Sequence, residues 1–164
     1  MINKKTVIGL SILGVWAFII FLFSGSNASI STAQTEAVIN FLFKLGEKNT
    51  FINSFISILS DNHSIFYSIR KLAHLTVFCI LQLISFYILR NNKKSILKSS
   101  IYSILIVIGY ATFDEIHQYI VPGRSCQITD VFIDTLGGFV GLLICYIIIS
   151  IKKIFKHINR DKQV

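Results

Sequence analysis

Four stretches of this chain, Thr6 to Phe23, Leu72 to Leu89, Ser99 to Tyr119 and Val131 to Ile151, are apolar along their length apart from scattered polar positions. Each approaches the ~20 residues that a helix needs to cross ~30 Å of hydrocarbon. None is amphipathic throughout, and none has the apolar-polar alternation of a barrel strand. Only one proline and nine glycines interrupt the chain. Long helices are therefore expected, since a helix satisfies its own backbone hydrogen bonds in lipid. The pattern predicts an all-α polytopic membrane protein with four transmembrane helices.

The connection from Ser24 to Ile69 reads differently. Its first part, Ser24 to Thr35, is small and polar, while Ala37 to Phe43 and Phe51 to Leu59 are short apolar runs separated by Gly46, Glu47, Lys48 and Asn49. Runs of that length fit an interfacial or re-entrant helical segment better than a fifth crossing.

A chain of 164 residues, 53% hydrophobic and with a mean hydropathy of +0.67, is too apolar for an ordinary soluble domain and is one membrane domain long, residues 1–164. The net charge of +8 is distributed directionally. Lys4 and Lys5 precede the first span; Arg90, Lys93, Lys94 and Lys98 fill the loop after the second; Lys152, Lys153, Lys156, Arg160 and Lys162 crowd the tail 152–164. The positive-inside rule places both termini in the cytoplasm. The outer loop 24–69 and its neighbours carry Lys44, Lys48, Arg70, Lys71 and Arg124, diluted by Glu36, Glu47, Asp61 and further acids. The cation excess reads as anchoring beside membrane lipids with anionic headgroups. Without a basic amphipathic surface or an aromatic platform, it gives no sign of a nucleic-acid partner.

Lys4 and Lys5, an apolar run and Ser26-Asn27-Ala28 have the order of a signal peptide cleaved after Ala28, but the run is long for that role and favours a retained anchor. Cys79 and Cys145 fall in spans and Cys126 in the outer loop, so the three cysteines form no disulfide framework.

The candidate chemistry gathers at one rim, where costly ionisable groups mark a site. At about 100° per residue, Arg70, Lys71 and His74 share one ~100° arc at the start of the second span. Asp114, Glu115 and Gln118 share another at the end of the third, with His117 turned about 160° from Glu115. Asp130 and Asp134, four apart, share a face near the positive end of the fourth helix. Pro122-Gly123 signals a turn that keeps Arg124 at the same rim. Plainer roles compete: Arg70 and Lys71 as snorkelling anchors, Thr129 or Asp130 as an N-cap, His117 as packing. Glu115, Gln118 and His74 lie a turn deeper, and partners such as Arg70 or Arg124 are expected for them. Gly137-x-x-x-Gly141, beside Gly138, allows a close helix approach, expected against the third span.

Together, Arg70-Lys71-x-x-His74, Asp114-Glu115-x-x-Gln118, Pro122-Gly123-Arg124 and Asp130-x-x-x-Asp134-x-x-Gly137 resemble the signature of the VanZ-like membrane protein family, as does the Phe23-Ser24 step after the first span. The resemblance covers most of the chain. It implies a bacterial plasma-membrane protein of the cell envelope, and through the namesake an association with resistance to the lipoglycopeptide teicoplanin. Many members have Asn where this chain has Asp134, which removes any role that needs an amide there. Some members carry a phosphotransbutyrylase label, but no acyl-transferase domain or coenzyme-binding motif is visible here.

Three classes of function follow. In the first, an outward polar site built from Arg70, Lys71, Asp114, Gln118, Arg124, Asp130 and Asp134 binds a lipid-linked wall component or limits a lipoglycopeptide's access. In the second, an intramembrane enzyme acts on a lipid-phosphate or glycolipid headgroup with His74 or Glu115 as acid or base. No cofactor and no metal are assigned; a metal variant would use His74, Glu115 and Asp134. In the third, a small transporter, the rim location of the charges and the lack of a repeat count against the reading, with homo-oligomerisation left open.

Overall fold

The computed structural model describes residues 4–62, 65–92, 94–124 and 126–161, and leaves the side chains of 60–62, 157, 160 and 161 out. The cations Lys93, Arg160 and Lys162 and the acid Asp61, used above for topology, thus fall outside the described residues or side chains.

Among the described residues six helices follow one another: α1 (Lys4–Ser24), α2 (Ala28–Gly46), α3 (Thr50–Asn62), α4 (Ile65–Asn91), α5 (Ile96–Ile120) and α6 (Ile128–Asp161). No strand occurs among the described residues. Local chemistry sets several starts. Asn27 accepts the Ile30 N–H at 3.0 Å to cap α2, and Ser95 accepts the Lys98 N–H at 3.3 Å to cap α5. Asn49 does the same for the first amides of α3.

Among the described residues, α1, α4, α5 and, over Ile128–Lys156, α6 are long and apolar enough to cross a membrane. Their outward faces carry exposed Val15, Phe18, Leu105, Phe132, Leu143 and many similar side chains. So much apolar surface has a natural solvent in lipid tails and none in water. Helices of spanning length and apolarity thus cover the four predicted spans, with α4 starting seven residues earlier than Leu72 and α6 continuing through most of the expected tail. The loop between the first two spans is more helical than its composition suggested. Helix α2 incorporates most of the polar stretch before Thr35, yet Ser29, Ser31, Thr32, Gln34 and Glu36 keep it too polar to qualify as a span. It packs with α3 against α4.

The ends of α1 and α5 and the starts of α4 and α6 meet at one end of the bundle, here called the rim. Trp16 of α1 donates to the Val77 carbonyl of α4 at 3.0 Å, and Tyr110 of α5 donates to the Ala17 carbonyl. These bonds hold α1 to two neighbours around a core of Ile20, Phe78, Leu81, Val107 and Ala111. Lower down, Gln82 of α4 donates to Ser103 of α5 at 2.7 Å, and Ser100 meets the Tyr146 hydroxyl of α6 at 3.0 Å. Lipid offers these groups no water, so they pair with each other.

The glycine motif has a different partner from the one expected. A Cβ on Gly137 would overlap the Leu75 carbonyl of α4, and one on Gly141 would lie 2.6 Å from the Cys79 carbonyl. Only Gly138 faces α5, where a Cβ would come within 2.8 Å of Val107. The motif therefore seats the fourth span on the second. Residues 75 and 79 advance with 137 and 141, so α4 and α6 run parallel.

Gly137→Val should lower unfolding free energy in micelles by on the order of 1–3 kcal/mol, because the blocking atom is backbone and cannot yield. Gly109→Ala, whose Cβ meets nothing within 4 Å, should hold or raise stability, since alanine is the better helix former. Chemical denaturation of both variants checks the contrast.

Candidate functional site

Each rim residue reaches the site from a defined element. Helix α4 supplies Arg70, Lys71 and His74; α5 supplies Asp114, Glu115 and Gln118; the α5–α6 connection supplies Arg124; α6 supplies Asp130 and Asp134. Asp114, Glu115, Gln118 and Asp134 are all at most 2% exposed. Burial of this depth demands partners, because an unpaired charge there is expensive.

The partners are mostly not those expected from the sequence. Lys71 forms an ion pair with Asp130 and lies 4.9 Å from the centre of the Tyr67 ring. His74 Nδ1 stands 3.2 Å from Asp134 Oδ1. Gln118 Nε2 donates to Asp114 Oδ2 at 2.8 Å, one helical turn away. Glu115 Oε1 accepts the Gln127 backbone N–H at 2.6 Å. Neither Arg70 nor Arg124 forms an ion pair with Glu115 among the described residues. Arg124 instead donates through Nη2 to Ser31 of α2 at 2.7 Å.

The turn explains that change. Gly123 has φ of +80°, a left-handed conformation that suits glycine. A Cβ there would sit 3.2 Å from that of Ala28, so the turn packs directly on the start of α2. This contact delivers Arg124 to Ser31 and away from Glu115. Helix α6 begins at Ile128, which places Thr129 and Asp130 inside its first turn. Neither is the N-cap expected; Asp130 is engaged by Lys71. His117 packs as its angle implied, its ring stacked on Phe21 at 4.1 Å between centroids.

Several buried groups have no hydrogen-bond partner among the described residues: Asp134 Oδ2, Glu115 Oε2, and Arg124 Nε and Nη1. Beside them is a cavity of about 510 Å³ between α1, α2, α3 and α4. Its polar part has Arg70, His74, Arg124, Ser31 and Gln34. The remainder is apolar, with Trp16, Ile20, Leu42, Phe55 and Leu72. Burial, and after it the charge of Arg70, push the Arg124 guanidinium below its usual range, while Asp114, Glu115 and Asp130 oppose that shift. Two mutually repelling cations on one cavity wall suit an anion bound between them.

Sequence reasoning missed Ser31, Gln34 and Trp16. Their only signal was a polar or indole residue in an otherwise unremarkable stretch, and the role of Ser31 and Gln34 depends on α2 folding over the turn.

These features define a multi-pass helical membrane protein with a charged site buried at one end of its bundle and an amphipathic cavity beside it. A family model described as VanZ/LLP1 matches residues 10–149, and the chain belongs to that family. Neither the curated proteins nor the solved structures contain a match.

A double-mutant cycle on Lys71→Met and Asp130→Leu should return a favourable coupling of roughly 0.5–3 kcal/mol, the range for residues in direct contact. Denaturation in micelles measures it. Coupling near zero would mean that each side chain prefers the headgroup region to its partner.

Proposed function

We propose that this protein is a bacterial cell-envelope membrane protein that binds the anionic headgroup of a lipid-linked wall component and thereby lowers susceptibility to lipoglycopeptides such as teicoplanin. The observation that carries this reading is the cavity, in which Arg70 and Arg124 stand at one part and an apolar lining suited to a lipid chain forms the rest. Arg124 lines it and has two nitrogens without a hydrogen-bond partner among the described residues, and guanidinium matches phosphate and carboxylate oxygens in geometry as well as charge. The site faces outward and both termini face the cytoplasm. Lys4, Lys5, Arg90, Lys94 and Lys98 support this orientation, because they lie at the end of the bundle opposite the rim.

A second reading makes the protein an intramembrane enzyme on the same headgroup. The His74–Asp134 contact favours it, since a carboxylate beside an imidazole fixes the orientation of the ring. Glu115, held at one oxygen by the Gln127 amide, is the other candidate acid or base.

The test is expression of wild type, Arg70→Gln and Arg124→Gln at matched membrane levels in a susceptible Gram-positive host, with lipoglycopeptide susceptibility as readout. Wild type should lower susceptibility and both variants should lose the effect. Purified Arg70→Gln should bind a polyprenyl phosphate in nanodiscs roughly 10- to 100-fold more weakly, as expected for losing a charge-assisted hydrogen bond of ~1.5–3 kcal/mol. Turnover of the phosphate by wild type would favour the enzyme reading. Protection that persists in both variants would sink the binding site proposed here.

A further inference from the structure

Behind the arginines, three helices converge on one point. His74 of α4, Asp114 of α5 and Asp134 of α6 each bring a donor atom to within 4.8 Å of the other two. Asp114 and Asp134 are each 1% exposed. Asp134 Oδ2 has no hydrogen-bond partner among the described residues. Lys71, the nearest lysine along α4, is committed to Asp130. The Gln118 amide holds Asp114 but brings no charge. Two buried carboxylates and an imidazole thus face one another with no lysine or arginine ion-paired to either acid among the described residues.

We infer that His74, Asp114 and Asp134 form a binding site for one divalent transition cation, of the Zn²⁺ or Mn²⁺ type. The donor set is one nitrogen and two carboxylate oxygens, without sulfur, which suits ions of intermediate hardness. Ligand atoms at ~2.1 Å from a common ion lie ~3.0–3.4 Å apart when adjacent in octahedral or tetrahedral geometry. The 3.2 Å between His74 Nδ1 and Asp134 Oδ1 has that value. Ligands on opposite sides of an ion stand at most ~4.2 Å apart, so donor atoms that all lie within 4.8 Å of one another are close to the span that one ion bridges. Gln118 then acts as the outer contact that orients a ligand carboxylate.

Glu115, which the sequence suggested as a metal ligand, is replaced by its neighbour Asp114 in this set. The reason is the helix: the two side chains diverge by about 100°, and Glu115 turns to the Gln127 amide instead. Three protein ligands leave a coordination position open. His74 also lines the cavity, so a headgroup oxygen held near Arg70 and Arg124 would be within reach of that position. The metal site stands on the three ligands alone and goes beyond the headgroup-binding reading.

The experiment uses full-length protein purified in detergent, stripped with a chelator, and titrated separately with Zn²⁺ and Mn²⁺. Bound metal is counted by mass spectrometry after gel filtration, and melting is followed with and without the ion. Wild type should retain one ion per chain and melt at a higher temperature with it. Asp134→Asn and His74→Gln should weaken retention by at least about 10-fold, since ligand loss costs no less than loss of an outer contact. Arg70→Gln should retain the ion, which separates failure of this site from failure of the headgroup site. Folded, monodisperse wild type that retains neither ion overturns the inference, as does undiminished retention in either ligand variant. If Asp134→Asn does not fold, His74→Gln, altered at the partly exposed ligand, decides.

Discussion

The close seating of α6 on α4 is the contact on which the rest of the site depends. Gly137 and Gly141 let the two helices approach until backbone meets backbone at Leu75 and Cys79. Because the helices run parallel, one register then serves the whole length: Lys71 meets Asp130, His74 meets Asp134, and Gln82 lies beside Gly141. In lipid, such packing is the main force available between helices, since apolar side chains gain little by leaving lipid for protein. The polar pairs at the rim therefore rest on close packing a turn or two below them.

The second contribution comes from outside the spanning bundle. Helix α2 is too polar to cross a membrane, and it folds over the α5–α6 turn, where Gly123 meets Ala28 and Arg124 meets Ser31. This contact gives the cavity its polar wall. It also explains why a chain with more than enough acids near Arg124 leaves that guanidinium only partly satisfied. None of those acids lines the cavity, whereas Arg70, His74 and Arg124 do.

His74 consequently joins two environments. On one side it contacts Asp134 at the three-helix junction; on the other it lines a cavity with Arg70 and Arg124. An amphiphile with an anionic head fits this division of labour, its chain against Trp16, Ile20 and Leu72 and its charge at the arginines. Both the envelope-binding and the enzymatic readings use that same arrangement, and they differ only in whether a bond in the headgroup breaks.

The four spans, the helical class and the family were legible in the sequence because each rests on local properties. Apolar length, scarce proline and motifs in register need no knowledge of which helix touches which. The ~100° arcs put Asp114, Glu115 and Gln118 on one side of their helix, and all three are buried, since helical geometry alone decides which side chains share a face. Pairing was a different matter. Arg124 belongs to Ser31 rather than Glu115, the glycine motif faces α4 rather than α5, and Asp114 rather than Glu115 joins His74 and Asp134. Those choices depend on helix register and on the placement of α2, which arise from packing between segments far apart in the chain, and only the tertiary structure could decide them.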